Sequence, residues 1–154
     1  MKKTGKIVYL LASLLFFVCV DLYFSGLIVN SYRFKLPNNP VFDLIYVTNS
    51  GAAFSIFENS KIFLIVFAVL AFLAILIYAI RNADKFSTFS GFWTAMLLAG
   101  IGCNLYERIV FDGVRDFFKL NFIDFPVFNI SDIYINIGVL AIIVIIIKNK
   151  YLKK

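Results

Sequence analysis

Residues 127–147 read VFNISDIYINIGVLAIIVIII, and this stretch decides the fold. From Gly138 to Ile147 no side chain is polar, so the segment is apolar enough to enter a membrane. Its first part nevertheless carries Asn129, Asp132 and Asn136. A carboxylate near lipid is costly, and charges inside a membrane usually face a cavity in which they act. The stretch therefore predicts a membrane span whose first turns contribute to a functional site.

Three further segments have the length and apolarity of membrane spans. A spanning helix needs about 20 apolar residues, with a range near 17–25. Mean hydropathy is +0.90 and 62% of the 154 residues are hydrophobic, which exceeds the composition of a soluble globular chain. The sequence predicts an all-α membrane protein, a single domain over residues 1–154, with four transmembrane helices at about 7–29, 62–80, 89–106 and 133–147.

Composition excludes several classes of chemistry. The chain has no His, so imidazole base catalysis and His-ligated metal are both excluded. Cys19 and Cys103 lie in apolar stretches without metal-ligand spacing, and we expect them to be free packing residues. The net charge of +6 comes from short basic runs beside apolar segments, which fits the inner membrane face better than a nucleic-acid groove. We expect no metal, no cofactor and no nucleic acid.

The basic flanks of the spans predict the orientation. Basic residues precede the first span, lie between the second and third, and follow the fourth. The positive-inside rule makes that side cytoplasmic, which places both termini inside and the loops at about 30–61 and 107–131 outside. The first apolar run is long, carries Asp21 and lacks a small-x-small cleavage site, so we expect it to be retained. In the first external loop, FDLIYVTN (42–49) alternates like a strand, and residues 37–40 predict a turn.

Polar residues of three spans share helix faces near the outer ends of their helices. Positions i, i+3, i+4 and i+7 lie on one face of a helix. Three clusters have this spacing: Asn129, Asp132 and Asn136; Gly100, Asn104, Glu107 and Arg108; and Asp21 with Ser25. Their common depth predicts that they converge on one pocket at the external membrane surface.

Simpler structural roles remain open for these residues. Asn129 or Ser131 can cap the fourth helix. Glu107 and Arg108 can form an ion pair at the membrane interface. Asp21 lies about two helical turns inside its span, where a buried carboxylate needs a partner. Arg108 is the nearest candidate partner by depth.

Asp116 and Asp132 are candidates for a catalytic pair. Between them, Pro126 and several aromatic residues indicate a tight return to the membrane surface. Two aspartates brought close cannot both stay ionised near neutral pH, so one holds a proton and the pair acts as acid and base on water. Spacing alone leaves solvated loop aspartates as the alternative.

Three ordered motifs resemble those of the lipoprotein signal peptidase family, also called signal peptidase II. NSGAAFSIF (49–57) is similar to N-x-GAAF of that family. CNLYERIVFDGVRDF (103–117) is similar to GN-x-x-DR followed by V-x-DF, and FNISDIYINIG (128–138) to FN-x-AD followed by glycine. The resemblance covers the whole chain, and it implies four transmembrane helices, a small external β-like region and an external loop bearing one catalytic aspartate.

The resemblance also implies the site residues. Asp116 and Asp132 match the catalytic pair of a membrane aspartyl peptidase. Residues that match the site lining are Asn49, Gly51, Asn104, Arg108 and Asn129, and those that match structural polar positions are Asp21 and Glu107.

The implied reaction is removal of the signal peptide from a bacterial prolipoprotein. The bond cleaved lies on the N-terminal side of a cysteine that carries diacylglycerol. The implied partners are this diacylglyceryl-modified prolipoprotein and membrane lipid. We expect a monomer in the bacterial cytoplasmic membrane, with its active site at the external face.

Four positions are substituted relative to the family pattern: Ser25 (usually Lys), Cys103 (Gly), Glu107 (Asp) and Ser131 (Ala). In addition, one motif glycine appears one place later, at Gly113. A divergent active enzyme is the favoured hypothesis, because the aspartates and their asparagines are kept. The alternatives are a catalytically inactive paralogue and a small membrane transport or assembly subunit. A transport subunit predicts polar residues in the cytoplasmic halves of the spans, and those halves are almost wholly apolar.

Overall fold

The computed structural model describes residues 1–30, 40–51 and 60–151, which form four helices and two strands. In chain order the elements are α1 Lys3–Asn30, β1 Phe42–Asn49, α2 Lys61–Arg81, α3 Thr88–Val110, β2 Val114–Leu120 and α4 Ile130–Tyr151. All four helices are long and apolar enough to cross a membrane. The predicted fold class, four transmembrane helices with a small β region, is confirmed.

Each predicted span lies inside one of these helices, and the helices are longer than the predicted spans. α3 continues past residue 106 to Val110, so Glu107 and Arg108 belong to its last turn. α4 begins at Ile130, earlier than predicted, which places Asp132 in its first turn. Predicted site residues therefore lie at the end of α3 and at the start of α4, where side chains form hydrogen bonds with backbone groups.

α3 is the central helix of the bundle, since α1, α2 and α4 all pack against it. Its small residues predict this, because they allow helix backbones to approach closely. At Gly100 a Cβ atom would lie 2.5 Å from the carbonyl oxygen of Ser131 and 2.8 Å from Cγ1 of Ile135. A larger residue at position 100 would therefore push the first turn of α4 away from α3.

The two strands form an antiparallel sheet that joins distant parts of the sequence. β1 is the predicted alternating stretch. Its partner β2 belongs to the connection between α3 and α4, so Asp116 lies in a strand within the predicted loop. Thr48 pairs with Arg115 and Asn49 pairs with Val114. The sheet thus brings the first long connection of the chain against the segment that carries Asp116.

The turn from α3 into β2 depends on two consecutive residues. Asp112 has a φ of 63°, in the left-handed region, and Gly113 follows it. A Cβ atom at Gly113 would lie 2.8 Å from Cγ2 of Thr48, so glycine allows β2 to start directly against the end of β1. The turn predicted at residues 37–40 lies outside the described residues, except for Pro40, which is in a bend.

The two ends of the bundle differ in charge. One end, which we call the sheet end, carries the sheet together with the end of α3 and the start of α4. At the opposite end, Nζ of Lys3 donates to the carbonyl oxygen of Arg81 at 3.1 Å, and Nζ of Lys6 donates to that of Phe86 at 2.6 Å. The last turn of α4, which carries Lys148, lies at the same end. Basic residues from α1, α2 and α4 thus gather opposite the sheet end.

Candidate active site

Asp132 is held in the first turn of α4 by a reciprocal pair of hydrogen bonds with Asn129. The backbone N–H of Asp132 donates to Oδ1 of Asn129 at 2.9 Å, and the backbone N–H of Asn129 donates to Oδ2 of Asp132 at 3.1 Å. This is a capping box, in which the N-cap residue and the third helical residue satisfy each other's amide groups. Asn129 therefore caps α4, and the cap orients the carboxylate of Asp132.

Asn104 on α3 contacts both members of this pair. Its Nδ2 donates to Oδ1 of Asp132 at 2.9 Å, and its Oδ1 accepts from Nδ2 of Asn129 at 3.0 Å. Asn104 and Asn129 are both buried, so the bond between them is shielded from water. Both oxygens of Asp132 accept a hydrogen bond, and the position of Asp132 depends on α3 as well as on α4.

Asp116 reaches the same region from β2. It is only 2% exposed, and its Oδ2 accepts from Nδ2 of Asn49 at 3.0 Å. Because Asn49 pairs with Val114, Asp116 is its diagonal neighbour on the same face of the sheet. Among the described residues, Oδ1 of Asp116 has no hydrogen-bond partner. One oxygen is therefore anchored, and the other is available to a ligand.

The surroundings of Asp116 favour its protonated form. Burial raises the pKa of Asp116 to about 7, and the negative charge of Asp132 acts in the same direction. The amide of Asn49 and the guanidinium of Arg108 lower this pKa, but burial is the larger effect. Near neutral pH, Asp116 therefore carries a proton for a large part of the time. Two carboxyl groups that share one proton can serve as acid and base.

Arg108 connects the two halves of the site. Its Nη1 donates to the carbonyl oxygen of Asn104 at 3.2 Å, and its Nη2 donates to that of Gly51 at 2.9 Å. The backbone N–H of Gly51 donates in turn to Oδ1 of Asn49 at 2.9 Å. Arg108 thereby orients the amide that anchors Asp116. It also places a positive charge in the cavity that both aspartates line.

Glu107 and Arg108 do not form the ion pair that the sequence left open as one alternative. Glu107 instead pairs with Arg115 through both carboxylate oxygens, with Nε 2.6 Å from Oε2. Consecutive helix residues point about 100° apart, so Arg108 can line the cavity while Glu107 faces away from it. Arg115 leaves β2 on the face opposite to Asp116, because side chains alternate along a strand.

Asp21, for which Arg108 was the candidate partner, instead contacts two hydroxyl groups. Oγ of Ser131 donates to its Oδ2 at 2.6 Å, and Oγ of Ser25 donates to its Oδ1 at 3.3 Å. Within the described part of the chain, Asp21 is buried and forms no ion pair. The three predicted clusters therefore do not all converge on one pocket, since Asp21 lies behind the first turn of α4 and outside the cavity lining.

A cavity of about 730 Å³ opens beside the two aspartates. Its polar lining is Asn49, Asn104, Arg108, Asp116, Asp132 and Asn136. The rest is apolar and lies between α2 and α4, with lining residues that include Leu64, Phe67, Ala68, Ala71, Ile133 and Ile137. Leu97 and Ile101 of α3 also line it. A cavity that is polar beside the aspartates and apolar elsewhere suits a ligand that has a polar group at one end and a long apolar part.

Comparison with known proteins decides the family. The sequence profile of the family described as signal peptidase (SPase) II matches residues 13–148. The chain belongs to the signal peptidase II family. Membership makes it a peptidase, and its four spanning helices make it a multi-pass membrane protein.

Individual relatives agree with this signal peptidase II assignment. The lipoprotein signal peptidase of Streptococcus thermophilus is 39% identical over 115 residues, which cover 71% of each chain. That of Lactobacillus johnsonii is 29% identical over 152 residues, which cover 96% of each chain. A solved bacterial membrane enzyme, determined by the in meso method at 2.3 Å resolution, superimposes with a TM-score of 0.82 at 25% identity. That comparison covers 94% of this chain and 91% of the other.

Three of the four positions that are substituted relative to the signal peptidase II pattern lie together. Ser25 and Ser131 donate the two hydrogen bonds to Asp21, and the thiol of Cys103 lies beside both Asp21 and Ser131. Polar side chains thus surround Asp21 at positions where the family pattern has Lys, Gly and Ala. The fourth substituted position, Glu107, forms the ion pair with Arg115 of β2.

The structure brings together most of the residues singled out in the sequence. Those that line the cavity are Asn49, Asn104, Arg108, Asp116 and Asp132, and those that orient them through hydrogen bonds are Gly51 and Asn129. Residues 52–57 of the first motif lie outside the described residues. The sequence did not single out Arg115, because apolar and polar residues do not alternate along VRDFFKL (114–120) and the segment gives only a weak strand signal.

Proposed function

We propose that this signal peptidase II is an aspartic endopeptidase that cleaves the bond N-terminal to a diacylglyceryl-modified cysteine of a prolipoprotein. One observation carries the proposal: Asp116 and Asp132 line the polar end of one cavity, each anchored by its own amide side chain. The names of the relatives, lipoprotein signal peptidases, support the choice of substrate.

Asp116 is the acid and Asp132 the base when the reaction begins. The raised pKa of Asp116, about 7, supports a proton on its carboxyl group near neutral pH. Asp132 accepts hydrogen bonds at both oxygens, from the side chain of Asn104 and the backbone of Asn129, and an ionised carboxylate is an acceptor only. Oδ1 of Asp116, which has no partner among the described residues, is the oxygen that offers the proton to the substrate.

Hydrolysis then proceeds in two steps, and each step includes two proton transfers. Asp132 takes a proton from a water molecule as the water oxygen attacks the scissile carbonyl carbon, and Asp116 gives its proton to the carbonyl oxygen. The tetrahedral intermediate collapses when Asp132 passes its proton to the leaving nitrogen and the C–N bond breaks. Asp116 recovers a proton from the hydroxyl group as the new carboxyl group forms. The positive charge of Arg108 offsets the net negative charge of the pair throughout.

The apolar part of the cavity supports recognition of a lipidated substrate. The small side chains Ala68 and Ala71 of α2 leave space in its wall, opposite Ile133 and Ile137 of α4. We assign the diacylglyceryl chains to this space, with the scissile bond at the polar end. Substrate can then enter sideways from membrane lipid.

We also propose that both termini are cytoplasmic and that the active site faces the outside of a bacterial cytoplasmic membrane. The basic residues gathered opposite the sheet end support this orientation through the positive-inside rule. Single cysteines introduced at Asn121 and at Lys150, in a background without Cys19 and Cys103, would test it in intact cells. A membrane-impermeant thiol reagent should label position 121 alone.

A gel-shift cleavage assay tests the activity. Purified protein in detergent receives a diacylglyceryl-modified prolipoprotein or its unlipidated form, beside the variants Asp116→Asn and Asp132→Asn. We expect cleavage of the lipidated substrate only, lost in both variants while folding is kept. If folded wild-type protein leaves a substrate intact that a control enzyme processes, the inactive paralogue becomes the better hypothesis. Activity that survives in both variants would contradict the aspartic mechanism.

A further inference from the structure

Ser131, the residue before Asp132, lies at a junction of three helices. On the α1 side its Oγ donates to Oδ2 of Asp21 at 2.6 Å. On the α3 side its carbonyl oxygen would lie 2.5 Å from a Cβ atom built at Gly100, so the two backbones are in direct contact. Ser131 is 2% exposed. Its position is therefore fixed by α1 and α3 as well as by its own helix.

The carboxyl group of Asp21 has no role in the chemistry proposed above. A buried carboxyl is costly unless its oxygens are hydrogen-bonded, and here the bonds come from two different places. Ser25 lies on α1 itself, one turn further along, and its bond to Oδ1 is 3.3 Å long. Ser131 lies on α4, and its bond to Oδ2 is the shorter one. The bond to Ser131 therefore does more than satisfy Asp21, because it links α1 to the residue next to the catalytic carboxylate.

We propose that Asp21 is a positioning residue for Asp132 and acts through Ser131. The proposal rests on the proposed function of Asp132 as the base. The bond from Asn104 to Asp132 joins α3 to α4, so it keeps its geometry only while the first turn of α4 stays in place. α1 packs chiefly against α3, and the bond from Asp21 to Ser131 reaches past α3 to that first turn. Loss of this bond lets the turn shift, and the carboxylate shifts with it.

Two hydroxyl deletions around the same carboxyl group test this role. Ser131→Ala removes the bond to α4, and the matched control Ser25→Ala removes the bond within α1. Both are assayed for kcat and KM on a diacylglyceryl-modified prolipoprotein and for thermal unfolding in detergent. Ser131→Ala should lower kcat by about 10- to 100-fold with KM nearly unchanged, because small misplacements of a reacting group are costly. Ser25→Ala should keep kcat within about twofold of the wild-type value.

Asp21→Leu and the double variant Asp21→Leu/Ser131→Ala complete the experiment. If both residues act through one contact, the double variant loses no more kcat than Ser131→Ala does alone. Asp21→Leu also keeps the proposal testable if Ser131→Ala does not fold, since leucine has nearly the shape of aspartate and accepts no hydrogen bond, so kcat should fall.

Several outcomes overturn the positioning role. They are an unchanged kcat in Ser131→Ala or in a folded Asp21→Leu, an equal loss in Ser25→Ala, and fully additive losses in the double variant. Wild-type protein and Asp132→Asn are assayed in parallel to separate the two proposals. If the wild type does not cleave, the proposed function fails and the positioning role fails with it. If the wild type cleaves and Ser131→Ala matches it, the positioning role alone fails.

Discussion

Arg115 pairs with both carboxylate oxygens of Glu107 on the face of β2 opposite to Asp116. Its guanidinium carbon also lies 3.7 Å from the ring centroid of Phe111, so the charge is enclosed on two sides. Glu107 belongs to α3, the helix whose Asn104 contacts Asp132. The pair therefore ties that helix to the strand that carries Asp116, and the separation of the two aspartates depends on it.

Breaking this pair should destabilise the fold. Glu107→Gln is expected to lower the free energy of unfolding by about 2 kcal/mol, since it breaks a charge-assisted pair in which Glu107 is buried and Arg115 is partly buried. The matched control is Asp112→Asn, which breaks the pair of Lys61 with an aspartate that is 84% exposed. That loss should stay below about 1 kcal/mol. Unfolding in detergent measures both, and equal losses in the two variants would contradict the importance of Glu107.

Asn49 should set the alkaline limit of activity. Cleavage needs the proton on Asp116, so kcat/KM should fall as the pH rises through the pKa of Asp116, about 7. The amide of Asn49 lowers this pKa. Asn49→Ala should therefore raise it and move the alkaline limb of the pH profile to higher pH. In the control Thr48→Ala, which alters the opposite face of β1, the limb should not move.

Asp116 should also make stability depend on pH. Its pKa is about 7 in the folded protein and near 3.8 in an unfolded chain. The folded state therefore binds the proton more tightly, and the free energy of unfolding should fall as the pH rises between these values. Asp116→Asn has no such proton, so its melting temperature should exceed that of the wild type at pH 8 by about 5 °C. At pH 5 the difference in melting temperature should be much smaller. An equal difference at both pH values would show that the titration of Asp116 does not cause it.

The apolar part of the cavity should accept the lipid of the substrate. Ala71→Phe fills the cavity between α2 and α4, and it should lower kcat/KM for the lipidated substrate by about tenfold or more. Leu70→Phe is the matched control, because Leu70 is 62% exposed and is absent from the cavity lining. The test compares initial cleavage rates of the two variants. If Ala71→Phe cleaves as fast as Leu70→Phe, the lipid chains do not occupy this space.

Much of the architecture could be predicted from local patterns. The four spans follow from apolar length, and β1 follows from alternation in FDLIYVTN. The pairing of Asn129 with Asp132 also follows from the capping position, and common depth in the membrane predicted that Asn104 of α3 lies near them. The hydrogen-bond partners of Glu107 and Asp21 could not be predicted from local patterns. Depth in the membrane suggested Arg108 as the partner of Asp21, and their common place at the membrane interface suggested it as the partner of Glu107. Neither argument reveals which side of a helix faces which neighbour.

The sequence by itself determined that this protein is a bundle of four membrane helices with polar groups at one end. Each span is stable in lipid only as a helix with satisfied backbone groups, so length and composition decide it segment by segment. Only the tertiary structure decided that β2 is the partner of β1, that Arg115 binds Glu107 and that Asp21 holds Ser131. These contacts depend on helix rotation and close approach at Gly100 and Gly113, which arise when the elements pack together.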